Sequence, residues 1–228
     1  MKTKKGGLSL RSFAVVIALA LLLSPTWVGA VALTLQNLID LGATGTIIND
    51  KRFYNFTYTP TGDGTPPASA IAFTPLTANP LDPGFRLNSG WSAGSGAFQD
   101  SFITYNVELL KGAPPLHDIS ASIVGGASGT GVVSLDESIF RGVDDSGTLL
   151  ATLHLDQTIK SGEVIFAPET GPIFFVEKDF EVNGGRDGVA SLSSVTNRMS
   201  ELPEPATMLL FGSGLVGLAG YARKRFKK

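Results

Sequence analysis

The sequence predicts an all-β fold: an antiparallel β-sandwich, jelly-roll-like, with one short helix at its N-terminal edge. Three observations predict it. Apolar and polar residues alternate with a period of two in many short runs, the spacing of strands with one buried face. Turn formers separate the runs, as in "TGDGTPP", "NPLDPG", "KGAPP", "DDSG" and "NGG". Helical periodicity is confined to one stretch, and no fixed-period repeat suggests a solenoid. No linker divides two cores, so residues 33–195 are expected to form one domain. Segment 1–32 precedes it; a polar stalk, 196–202, and a tail, 203–228, follow.

In "LTLQNLIDLG", Leu35, Leu38, Ile39 and Leu41 fall on helical spacing, with Thr34 as a cap and Gly42 as a stop. Strands are expected next. In "FYNFTY", Tyr54, Phe56 and Tyr58 share one face and Phe53, Asn55 and Thr57 the other. "SFITYNVEL" alternates Ile103, Tyr105, Val107 and Leu109. "TLLATLHLD" alternates Leu149, Ala151, Leu153 and Leu155, with Thr152 and His154 opposite. Further strands are predicted at 46–49, 71–74, 118–124, 131–140, 163–166, 173–182 and 190–195. The polar run "SVTNRMSELPEP" after Ser193 forms the stalk.

Charge is segregated. Lys2, Lys4, Lys5 and Arg11 open the chain; Arg223, Lys224, Arg225, Lys227 and Lys228 close it. The remaining nine basic residues face all 20 acidic ones. So acidic a middle argues against nucleic acid as a partner, because that affinity comes largely from neutralising phosphates. With no cysteine in the chain, disulfides, thiolate catalysis and zinc–sulfur sites are excluded.

The front reads as a signal peptide over residues 1–32, making signal peptidase a partner. A basic start precedes the apolar run "FAVVIALALLL", then Ser24-Pro25 and the small residues of "VGAVA". Cleavage after Ala30 or after Ala32 satisfies the small-x-small rule. Those 11 apolar residues reach about 16 Å as a helix, short of a bilayer's roughly 30 Å. At the other end, residues 206–222 carry no charge and reach about 26 Å, the lower limit for a transmembrane helix. The basic residues behind them belong in the cytoplasm, so the domain between faces outward from the inner membrane.

Pro203-Glu204-Pro205 fixes two φ angles and removes two backbone donors, leaving an extended peptide that a protease can grip. Downstream, Gly212, Gly214, Gly217 and Gly220 each weaken a helix by about 1 kcal/mol relative to alanine in water. A disposable anchor can use that weakness; a permanent one gains nothing from it. This order of Pro-Glu-Pro, glycine-containing apolar span and basic end resembles the PEP-CTERM sorting tail of Gram-negative bacteria that make exopolysaccharide. The resemblance implies that an exosortase, a membrane cysteine protease/transpeptidase, recognises the tail. A Gram-positive sortase signal would need a threonine-glycine pair after "LPE", which is missing. "DKRFYNFTY", "GWSAGSG" and "KDFEVNGG" resemble the middle regions of other secreted PEP-CTERM proteins, which implies a shared fold and no catalytic residues.

Catalytic signatures are sparse. His117 and His154 could each act as a general base, but a base needs a partner placed beside it. No G-x-S-x-G elbow or H-E-x-x-H helix occurs. Asp136-Glu137 would point to opposite faces of a strand, so it is not by itself the carboxylate pair of a glycoside hydrolase. Asp144-Asp145-Ser146-Gly147 reads as a turn in which aspartate bonds its own backbone. Calcium suits such oxygen ligands, yet no D-x-D-x-D-G loop assigns it a site, so no cofactor, metal ligand or catalytic residue is assigned. Trp91, in "SGWSAGSG", is the candidate ligand-binding residue: exposed, its ring would stack on a sugar; buried, it would plug one end of the sandwich.

The expected function is that of an exported envelope or extracellular-matrix protein, processed by an exosortase-like enzyme. Its sandwich would be structural or would bind exopolysaccharide in a biofilm matrix or at the cell surface. The alternatives are a carbohydrate-active enzyme, glycoside hydrolase or lyase, on the same scaffold, and a permanently anchored surface protein.

Overall fold

The computed structural model describes residues 33–201, so the predicted signal peptide, the Pro203-Glu204-Pro205 motif, the transmembrane segment and the basic end lie outside the described residues. Helix α1 (Leu35–Leu41) opens them. Thr34 and Asn37 form a capping box, and Gly42 at φ +49° ends the helix. Leu35 and Leu38 turn into the core, as their spacing predicts.

Eleven strands follow: β1 (Thr46–Ile48), β2 (Lys51–Gly62), β3 (Ala72–Leu76), β4 (Gly84–Ala93), β5 (Phe98–Leu109), β6 (Leu116–Ser128), β7 (Val132–Arg141), β8 (Thr148–Asp156), β9 (Ser161–Glu169), β10 (Ile173–Asn183) and β11 (Val189–Glu201). They form a six-stranded sheet, β1-β2-β5-β10-β7-β8, and a five-stranded sheet, β3-β4-β11-β6-β9. Every pairing is antiparallel. Within them, β5-β10-β7-β8 faces β4-β11-β6-β9, the double Greek-key order of a jelly roll.

The inner faces close over one apolar core. Phe53, Phe56, Phe73, Phe85 and Tyr105 pack at centroid distances of 5.0–6.4 Å at one end. Trp91 meets Phe180 edge-on at 5.0 Å. Such pairs contribute about 0.5–1.5 kcal/mol each beyond the burial of their area.

Four expectations need correction. Strand β4 falls where the sequence pattern predicts no strand. Gly84 stands there because a Cβ would lie 2.0 Å from the Asn197 carbonyl oxygen; with Gly90 and four polar residues, Arg86, Asn88, Ser89 and Ser92, it hides the inward series Phe85, Leu87, Trp91, Ala93. In β2 the ladder shifts between Tyr54 and Thr57, with Asn55 at φ +53°. The bulge turns Phe53 and Phe56 both inward, so the expected faces of "FYNFTY" do not hold. In β8 a shift beside Leu149 leaves that residue 52% exposed, while Ala151, Leu153 and Leu155 point inward as predicted.

The stalk is the fourth correction. Residues 196–201 belong to β11, hydrogen-bonded to β6 as far as Glu201. A bulge at Ser193 flips the inward series from Ala190 and Leu192 to Val195, Asn197, Met199 and Glu201. Two of those four side chains are polar, and this is why the segment reads as solvent-exposed.

Candidate functional site

The outer face of the six-stranded sheet gathers the carboxylates. Register sets them side by side: Asp136 on β7 opposite Asp179 on β10, and Glu181 on β10 opposite Asp100 on β5. With Ser134 and Phe98 these four line a shallow depression. Phe98, at its rim, is 44% exposed. Asp179 is the unusual member. Partial burial pushes its carboxyl up to about 7, and the hydrogen bond and charge of Asp100, then the charges of Asp136 and Glu181, push the same way. A carboxyl in this position holds its proton near neutrality and can donate a hydrogen bond while its neighbours accept.

Next to the depression, His154 on β8 stands opposite Asp136, its Nδ1 2.7 Å from Asp136 Oδ1. Sequence alone could not supply this partner. The contact orients the imidazole, and among the described residues Nε2 has no partner; for stability an exposed pair contributes only about 0–1 kcal/mol. As expected, Asp136 and Glu137 point to opposite faces, outward and inward. His117 is half-buried, and its buried Nδ1 has no partner among the described residues.

Trp91 is corrected. It is 1% exposed, and its indole Nε1 donates to Ser101 Oγ at 3.1 Å inside the core. It cannot stack on a ligand. In the turn "DDSG", Asp144 Oδ1 accepts from the Ser146 amide at 3.1 Å, as its sequence predicts. Among the described residues no group of three or more acidic or imidazole side chains is placed to hold a metal ion.

A polar chain through the core was missed in the sequence. Glu137 and Lys178 sit opposite each other on the inner face of β7 and β10, both with fully buried side chains. Lys178 Nζ donates to Glu137 Oε2 at 2.6 Å. Asn197, on β11 of the facing sheet, donates from Nδ2 to Glu137 Oε1, and Tyr105, on β5 of the same sheet as Glu137, donates from Oη to Asn197 Oδ1 at 2.8 Å. Desolvation, then the Glu137 charge, holds the Tyr105 hydroxyl well above its usual range. The signal was present: Glu137 and Lys178 occupy inward positions of otherwise apolar alternations.

Comparison with known proteins places a PEP-CTERM protein-sorting motif at residues 201–225. The chain thus carries the mark of an exported protein with a membrane-anchored sorting signal, which implies processing by an exosortase. No curated protein matches the chain. Among the solved structures that resemble it distantly are three. The enzymatically active domain of bacteriophage CBA120 tailspike protein 4 is 17% identical over 61% of this chain and 19% of its own length, with a TM-score of 0.28. This chain therefore spans about a fifth of the tailspike domain. TmCBM61 in complex with beta-1,4-galactotriose is 10% identical over 61% of this chain and 86% of its own, with a TM-score of 0.33. A structure of accessory secretory protein 1, 2 and 3 in Streptococcus pneumoniae is 13% identical over 54% of this chain and 87% of that one, with a TM-score of 0.29. These TM-scores are too low to carry any of those proteins' activities to this chain.

Proposed function

We propose that the chain is an exported structural or matrix-binding protein, delivered by its signal peptide and released by an exosortase-like enzyme to the cell surface or extracellular matrix. Before processing, residues 206–222 hold it in the inner membrane with the sandwich outside. The observation that carries this reading is where the motif begins: on Glu201, the last residue of β11. The jelly roll is therefore the cargo of the sorting tail. Its binding surface would be the depression on the outer sheet, where an exposed phenyl ring beside carboxyl acceptors offers what a sugar needs: an apolar face and converging polar groups. Phe98 takes the role that Trp91 cannot.

Paired substitutions test this. Phe98→Ala should weaken retention of the folded protein on the producing organism's exopolysaccharide about tenfold, the effect of losing roughly 1–2 kcal/mol of ring contact. Trp91→Ala should instead unfold the domain, at a cost of about 3–5 kcal/mol. Undiminished retention by the Phe98 variant would remove this face from the proposal.

A second reading is a carbohydrate-active enzyme. It is favoured by Asp179, a carboxyl near neutrality beside other carboxylates and the Asp136–His154 pair, an arrangement suited to acid–base chemistry. Shortened polysaccharide products that disappear in Asp179→Asn would establish it.

A further inference from the structure

The last residues of β11, which run into the sorting motif at Glu201, are hydrogen-bonded along both edges. Met199 N donates to Pro83 O at 3.0 Å and Glu201 N to Leu81 O at 3.2 Å, while β6 pairs along the other edge as far as Leu116. Arg198 Nη1 donates to the Asp82 carbonyl at 2.9 Å and to its carboxylate at 3.2 Å. The Ser200 hydroxyl donates to Asp118. Glu201, 5% exposed, is ion-paired with the fully buried Lys51, the first residue of β2 in the facing sheet. Lys51 Nζ also reaches Asp50 Oδ1 at 3.2 Å. One cross-sheet ion pair thus ties the end of β11 to the opposite layer.

Pro203 is two residues beyond Glu201, a reach of about 7 Å along the chain. A protease that takes its substrate as an extended strand bonds the backbone upstream of the cut. Here the upstream backbone groups are already bonded within the sheet, and the Glu201 side chain is under the sandwich.

We propose that the end of β11 is a latch, closed by Lys51 and Glu201, which must open before the membrane processing enzyme can engage the tail. The fold of the cargo then sets the rate of its own release. This rests on the sorting reading above, and the following experiment keeps the two apart.

Full-length chains are followed by pulse-chase in cells that carry the processing enzyme, with trypsin resistance of the domain as the check on folding. One chain is the parent. A second carries six Gly/Ser residues between Glu201 and Leu202, which moves the motif up to about 20 Å from the sheet. A third is Lys51→Met, and a fourth combines the two changes. The insertion should accelerate tail loss about tenfold. Lys51→Met should accelerate it in the parent and leave the insertion chain unchanged. Equal rates in parent and insertion chains, with tails removed from both, would overturn the latch and leave the sorting reading standing. Slower loss in the insertion chain would overturn it too. If no chain lost its tail, the sorting reading would fall and the latch with it. Should Lys51→Met lose trypsin resistance, parent against insertion chain still decides.

Discussion

Asp179 makes the domain's stability depend on pH in the direction opposite to that of a salt-bridged carboxylate. Its carboxyl is raised from 3.8 to about 7, chiefly by partial burial, with Asp100, Asp136 and Glu181 adding to the shift. Between those values the folded protein holds a proton that the unfolded chain has released. Its contribution is therefore greatest in acid and is lost as pH rises from about 4 through about 7. Glu201, raised to about 7 because burial and the neighbouring Asp50 outweigh its ion pair with Lys51, adds a dependence of the same sign. Asp179→Asn removes the first contribution only. Its melting temperature should fall less than the parent's between pH 5 and pH 8, and at pH 8 the variant should be the more stable protein. Identical pH profiles would mean that Asp179 titrates like an ordinary surface carboxylate. Beside it, Trp91 and Phe98 show how one backbone decides two aromatic fates. Trp91 falls on the inward series of β4 and Phe98 on the outward series of β5.

At the scale of elements, what was legible followed the alternation, and what was lost was lost at bulges. Helix α1 carries its cap and its stop in the sequence, and β5, β7 and β10 announce themselves by period-two runs. Asn55, the Leu149–Leu150 step and Ser193 each shift the ladder by a residue and turn the following side chains over. Past Ser193 the inward positions also turn polar, so the central strand β11 was cut short at Val195. The carboxylate face was illegible for another reason: Asp100, Asp136, Asp179 and Glu181 come from three strands, and only pairing order makes them neighbours. The Glu137–Lys178 pair spans β7 and β10 in the same way, and its energetics can be isolated. Lys178→Met alone strands a buried carboxylate and should cost about 3–5 kcal/mol. Combined with Glu137→Leu, it should cost less than the two single changes added, by about 1–3 kcal/mol in denaturant titrations. Additive effects would show that the two side chains do not act as a unit.

For the whole molecule, two kinds of instruction lie end to end in the chain. A jelly roll bearing the acidic charge is framed by basic, apolar ends, and the sorting motif starts on the last residue of its central strand. Cargo and address therefore share Glu201. The account stands on the tail being an address that is removed rather than an anchor that is kept. Mass spectrometry of the protein isolated from the surface or matrix of its own cells tests this most directly. A mature chain beginning after Ala30 or Ala32 and lacking everything beyond about Pro205 is the predicted result; a mature surface protein still ending at Lys228 would contradict it.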